Sequence, residues 1–317
     1  MVLTEARDLF LNDRETYCSD KTVKNYRNNL GYFFNFVSDR FQKEPDQITL
    51  EEVEKLDINQ YSIYLKNKIR NDNNPNFKAK EPRKISARTR KDYLKDMKCF
   101  WMFCIENGYC QVNPSEHLKL PKAYGRIVEP LTVDEVNIID SCYSINSTFG
   151  CRNLAMIHCL LDAGMRPGEV VRLKIQDLHF SEGYFVIHFS KGGKSRIVPM
   201  GRTVKKYLQY WLEKRPDCSH EYVFCVENGD PLTGNALKCV IDRLKISSGM
   251  TRLFPYLLRH TFATRLCESG ANLKFIQSIL GHADVSTTMN IYVDVTDALK
   301  KKEITAFDDY MTTKLET

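Results

Sequence analysis

Residues 255–266 read PYLLRHTFATRL. Leu257, Leu258, Phe262, Ala263 and Leu266 recur at helical spacing, so the segment predicts a helix with one face turned to a core. Arg259 and His260 stand among them. A guanidinium at the edge of a core calls for an anion, because a buried charge without a partner is costly. A tyrosine, Tyr256, lies one helical turn before that arginine. The stretch therefore predicts a mainly helical domain that holds a cation against its interior.

Upstream, the pattern stays helical. SDKTVKNYRNNLGYFFNFVSDRF, residues 19–41, puts Val23, Tyr26, Leu30, Phe33, Phe34 and Val37 on one face. Thr49 with Glu52 forms a capping-box pattern, and the next helix is expected to start from Asp57. From Ser86 a further helix carries Tyr93, Leu94, Met97, Trp101 and Cys104 on one side and closes at Gly108. Residues 111–130 hold three prolines and no helical or strand period, which reads as a linker. A second capping-box pattern, Thr132 with Glu135, opens a new helical series, with Leu131 placed to staple against Val136. The expected boundary lies near residue 125, giving domains 1–124 and 125–317; for 317 residues two domains are the natural expectation.

One β insert interrupts the second domain. YFVIHFS and SRIVPM are short β-branched runs separated by KGGK, a hairpin signal. GGKS resembles the tail of a phosphate-binding P-loop, but His188 stands where that motif needs glycine, and the stretch lies between strands.

Composition narrows the function classes. Lys and Arg number 46 against 40 Asp and Glu, a mild net charge of +6 that suits a polyanion partner without requiring one. Basic residues gather between Lys66 and Lys98, among them Lys80, Arg83, Lys84, Arg88, Arg90 and Lys91, at a loop and a helix start where backbone amides also favour anions. A solvated helix face accounts for such a run equally well. The 11 cysteines are odd in number and include no CxxC; Cys99, Cys104, Cys159 and Cys267 fall on apolar helical positions and read as reduced core residues of a cytoplasmic protein. The start MVLTEARDLFLNDRE has no signal-peptide pattern, and no apolar run approaches the ~18 residues of a membrane span.

Four separated phrases carry chemistry. LLDAGMRPGEVVRL places Arg166 at the seam between two helical stretches, and FSKGGKSRIVPM places Lys191 at the mouth of the hairpin. YLLRHTFATRL supplies Arg259. LGHADVSTTMNIYVDV supplies His282 directly after a helix-ending glycine and Tyr292 ten residues later, with Ser286 able to cap the short helix that carries the tyrosine. Each has an ordinary explanation as well: Arg166 can pair with Glu169 or Asp162, Lys191 can be a turn lysine, His282 a helix cap, and Tyr292 a packing residue.

In this order the phrases resemble the tyrosine recombinase (phage integrase) family. Gly164 to Glu169, Leu258 to Thr264, Leu280-Gly281-His282 and Thr287 to Tyr292 carry the resemblance, which covers the whole second domain, and the helical first domain looks like the family's core-binding domain. The resemblance implies a mainly α fold: a helical, SAM-like core-binding domain, then a mainly α catalytic domain with a small antiparallel sheet. It implies site-specific cutting and rejoining of duplex DNA through a 3′-phosphotyrosine and a Holliday junction within a homotetramer. It also implies a C-terminal helix that docks on the neighbouring subunit. The catalytic set it implies is Arg166, Lys191, Tyr256, Arg259, His282 and Tyr292. Tyr256 departs from the pattern, since the family usually has histidine there. The chain begins almost directly in the first core-binding helix, so a two-domain enzyme of the Xer kind is expected. A type IB topoisomerase, with a similar catalytic set, and a non-catalytic DNA-binding regulator are the competing expectations.

The residue types suit that chemistry. A tyrosine hydroxyl attacking a phosphodiester builds charge on the non-bridging oxygens, which forked guanidiniums are well shaped to hold. A lysine beside arginines can have its pKa lowered and protonate a leaving 5′-oxygen; Lys194 competes with Lys191 for this role, and the family pattern favours Lys191. One phosphodiester replaces another, so the bond energy is retained and no ATP, cofactor or metal is expected.

Overall fold

The computed structural model describes residues 1–70, 82–122, 128–188 and 195–281. The chain divides into two compact units, Met1–Gly125 and Arg126–Thr317, each with its own core.

The first unit is built from α1 (Leu3–Glu15), α2 (Asp20–Phe41), α3 (Lys55–Asn67) and α4 (Ala87–Glu106). Val23, Leu30, Phe33, Phe34 and Val37 of α2 are buried as their period requires, and Tyr26 is half-buried. Phe33 meets Trp101 and Phe34 meets Phe100 of α4, and Tyr26 meets Phe10 of α1, in edge-to-face contacts, the arrangement aromatic quadrupoles prefer. The Ser86 hydroxyl caps α4 by accepting from the Thr89 amide at 3.0 Å, and Gly108 follows with φ of 70°. The start of α3 differs from expectation. The helix begins at Lys55, with Glu54 as its cap and Asp57 inside the first turn, where its carboxylate accepts from the Glu54 amide at 2.8 Å. Two acids three apart form the same reciprocal cap that Ser/Thr with Glu would form.

The basic cluster splits. Lys68 is 5% exposed, its ammonium over the rings of Tyr32 and Tyr64, and Lys98 donates to the carbonyls of Glu116 and Leu118. Lys68 is therefore a packing residue, while Lys98 is half-buried. Arg83, Lys84 and Arg88 are exposed, while Arg90 and Lys91 are half-buried. The Arg70 amide donates to the Arg83 carbonyl and the Ile85 amide to the Lys68 carbonyl, which joins the chain on either side of residues 71–81. Lys80 lies outside the described residues.

The second unit contains α5 (Val133–Ser141), α6 (Thr148–Leu161), α7 (Pro167–Arg172), β1 (Leu178–His179), β2 (Tyr184–Ile187), β3 (Arg196–Pro199), α8 (Arg202–Lys214), α9 (Gly234–Ser248), α10 (Pro255–Glu268) and α11 (Leu273–Leu280). The Thr132–Glu135 capping box opens α5, and Leu131 is buried. α6 is apolar nearly all round and is the central helix, packed by α8 and α10. The sheet is antiparallel in the order β1-β2-β3, with Phe185 opposite Val198 and Ile187 opposite Arg196. Strand β1, only two residues long, carries no period that a sequence could show. All eleven cysteines are free; Cys104, Cys159 and Cys267 are buried and Cys99 is half-buried. Among the described residues no helix is long and apolar enough to cross a membrane.

One polar cluster inside this unit makes stability depend on pH. His158 of α6 is 2% exposed, stacked on Tyr207, with Asp162 at Nδ1 and Asp140 at Nε2. Burial alone would lower the imidazole pKa, but the two carboxylates outweigh it and raise it to about 9. The folded value lies above the ~6.5 of a free imidazole, so the stabilisation is complete below that pH and is lost as pH rises through about 9. The gap corresponds to roughly 3 kcal/mol. Urea midpoints should therefore fall between pH 6 and pH 9.5, and His158→Gln should remove most of that fall. An equal pH dependence in the variant would contradict the assignment.

Candidate active site

The seam between α6 and α7 is shaped by Gly164, whose φ is 59°. A Cβ there would also lie 2.4 Å from the Phe262 ring of α10, so glycine is required by conformation and by the close approach of that helix. The turn delivers Arg166 as the cap of α7. Its backbone amide donates to Glu169 Oε2 at 2.7 Å and its Nη1 to Glu169 Oε1 at 2.9 Å. Of the two ordinary partners open to Arg166, Glu169 is the one used; Asp162 is taken by His158.

Arg259 projects from α10 into the same place and is 5% exposed. Its Nη1 donates to the Gly164 carbonyl, its Nη2 to the Leu280 carbonyl at 2.6 Å, and Glu169 Oε2 is 4.0 Å away. Arg166 Nη2 donates to the Gly281 carbonyl. The C-terminus of α11 thus turns its unpaired carbonyls, the negative end of the helix dipole, toward two cations. Gly281 ends that helix in the left-handed conformation with φ of 61°. Each guanidinium spends two of its five N–H groups on these partners.

A third arginine completes the cluster. Arg196 of β3 is 9% exposed and grips Glu169 with both Nη atoms, 2.8 Å to each oxygen, while its Nε donates to the Ile279 carbonyl at 2.7 Å. Reading the sequence did not single it out. The signal was present, since in the alternating run from Arg196 to Pro199 the arginine takes the inward phase with Val198.

Three guanidiniums therefore surround one carboxylate, and two positive charges remain in surplus. Burial would raise the Glu169 carboxyl, but the hydrogen bonds from Arg196 and Arg166 hold it down at about 2. Burial, with Arg166 adding repulsion, presses Arg259 down to about 9 despite Glu169. A cation held under such strain gains most from an added anion. Tyr256, near enough to influence the Arg259 charge, is 57% exposed on the first turn of α10.

At the edge of the cluster, His188 joins Asp177 to Ser195, at 3.0 and 2.9 Å, and so links the end of β2 to the residue before β3. Lys191, Lys194, His282, Ser286 and Tyr292 lie outside the described residues, as do residues 301–317.

The sequence model of the phage integrase family matches residues 130–298, and that of the phage integrase SAM-like domain matches residues 3–120. The chain is 30% identical over 294 residues to the tyrosine recombinase XerD of Listeria innocua serovar 6a, across 90% of this chain and 91% of that one. Among solved structures, XerA recombinase is 26% identical with a TM-score of 0.51, over 96% of this chain and 98% of that one. The Tn1549 transposon integrase in complex with a circular intermediate DNA is alike in fold, with a TM-score of 0.77 at 19% identity over 96% and 99% of the two chains. The two family models together cover most of both helical units, and the curated relative matches along nearly the whole chain: the chain belongs to the phage integrase family of tyrosine recombinases.

Proposed function

We propose that this recombinase cuts and rejoins duplex DNA at a specific site, with the arginine cluster holding the scissile phosphate. The observation that carries this reading is the surplus of two positive charges around Glu169, on guanidiniums that keep N–H groups to spend. Arg166 and Arg259 bind the non-bridging oxygens and stabilise the charge that grows there in the five-coordinate transition state. His282, directly after Gly281, donates to the same oxygens, and Tyr256 adds a hydrogen bond from its phenol in place of the family's histidine. Tyr292 gives up its phenolic proton to water and attacks phosphorus. Its oxygen forms the new P–O bond as the bond to the sugar 5′-oxygen breaks, and Lys191 gives that oxygen its proton. The 3′-phosphotyrosine is again a phosphodiester, so a free 5′-hydroxyl can reverse the step or continue it on a second strand through a Holliday junction.

In this reading residues 1–124 form the core-binding domain with its linker and 125–317 the catalytic domain. Lys80, Arg83, Lys84, Arg88, Arg90 and Lys91 contact phosphates; the exposure of Arg83, Lys84 and Arg88 supports that role. The protein assembles as a homotetramer on its site, with residues 301–317 docking on the neighbouring subunit, and works in the cytoplasm with the DNA.

The test is covalent trapping. On a duplex carrying the recombination site and nicked beside the cleaved phosphate, the short 5′-hydroxyl product diffuses away. A protein–DNA adduct stable to detergent should then accumulate without ATP. Sequence-specific binding with no adduct would indicate a regulator, and adducts with plasmid relaxation but no recombination of paired sites a topoisomerase.

A further inference from the structure

The β2–β3 pair places an arginine at a core position. Opposite Ile187, Arg196 takes the inward phase of its strand, where an apolar residue is the ordinary choice. No step of the reaction above uses this side chain. Its fork fills both oxygens of Glu169 and its Nε holds the last turn of α11. Arg196 therefore joins three elements: β3, the start of α7 and the end of α11.

We propose that Arg196 is a positioning residue of the cleavage pocket: by occupying both oxygens of Glu169 from the core side, it keeps Arg166 and Arg259 turned toward the scissile phosphate. This rests on the reading that those two arginines bind that phosphate. An ionised carboxylate has about four acceptor sites. At Glu169 they are taken by the two Arg196 nitrogens, Arg166 Nη1 and the Arg166 amide. Without Arg196 two sites open, with Arg259 Nη1 already 4.0 Å from Oε2 and Arg166 Nη1 already bonded to Oε1. A buried carboxylate left short of partners takes the nearest cation, and the preferred geometry with arginine is a two-point fork. An arginine turned inward in this way is lost to the phosphate. The charge balance moves the same way, since the surplus around Glu169 falls from two to one.

A buried ion pair that only supports the fold would behave differently, and a double-mutant cycle separates the two roles. Arg196→Met removes the charge at similar volume; Arg196→Lys keeps a charge without the fork. Each is measured as the full chain for duplex affinity and for single-turnover cleavage of the nicked duplex at saturating protein, alone and with Arg166→Ala. Both variants should bind duplex nearly as wild type does and cleave about 10- to 100-fold more slowly. Arg166→Ala alone should cost about 10²–10³-fold, but less than about tenfold when added to Arg196→Met, because the same interaction has already been lost. Losses that multiply in the double variant overturn the proposal, as does wild-type cleavage by Arg196→Lys. If Arg196→Met does not fold, the cycle runs on Arg196→Lys with the same criteria. If Arg166→Ala cleaves at the wild-type rate in the otherwise unchanged chain, the phosphate assignment itself falls, and this inference with it.

Discussion

Tyr292→Phe should bind the recombination-site duplex as the parent does and form no covalent adduct. The substitution removes a single oxygen, the one proposed to attack phosphorus. A phenol of pKa about 10 is only ~0.1% ionised at neutral pH, so the nucleophile depends on its surroundings for activation. In the proposed mechanism the surplus charge of the arginine cluster supplies it electrostatically. No other group in the proposed set replaces the phenol: Tyr256 is fixed to the first turn of α10, one turn from Arg259, where it is proposed to donate a hydrogen bond. Trapping on the nicked duplex reads the result directly. An adduct from Tyr292→Phe at the parent level would refute the nucleophile assignment.

Arg259→Ala and Arg166→Ala carry the next largest effects. Each removes one donor set from the oxyanion it is proposed to hold, a loss that typically costs about 10²–10³-fold in rate, or roughly 3–4 kcal/mol. Arg259 has a further structural part. Its guanidinium bridges the Gly164 and Leu280 carbonyls, so alanine also leaves two acceptors at the packing of α7, α10 and α11 without this donor. Arg259→Ala should therefore lose stability as well as rate, whereas Arg166→Ala, whose side chain is 30% exposed, should lose mainly rate. Lysine at either position should rescue poorly, because an ammonium is a point charge without a fork. Single-turnover cleavage at saturating protein, with a thermal melt beside it, measures both parts. A rate loss below about tenfold in either alanine variant would mean that its guanidinium does not hold the scissile phosphate.

The parts of this protein that were legible in its sequence are those set by neighbours along the chain. Apolar residues at helical spacing placed α2 and α4, because a helix brings residues three and four apart onto one face whatever it packs against. The Thr132–Glu135 box and the Ser86 cap marked helix starts, since the first amides of a helix need acceptors within a few residues. The same logic misplaced the start of α3: an acidic cap at Glu54 is weaker as a signal than the Asp57 that answers it. The residues proposed to carry the chemistry were legible through the order of their phrases, which resembles a family.

Tertiary structure decided which charges meet. Reading along the chain offered Glu169 to Arg166, three residues away. The fold brings Arg196 to the same carboxylate from 27 positions downstream, and Arg166 to the Gly281 carbonyl 115 positions away. Lys68 read as a member of a basic surface and is a packing residue, since only packing determines whether a long cation meets solvent or a ring. Sequence fixes hydrogen bonds that close within a turn and periods that repeat within an element. A buried carboxylate with three guanidiniums requires elements far apart in the chain to converge, and that convergence is a property of the packed core alone.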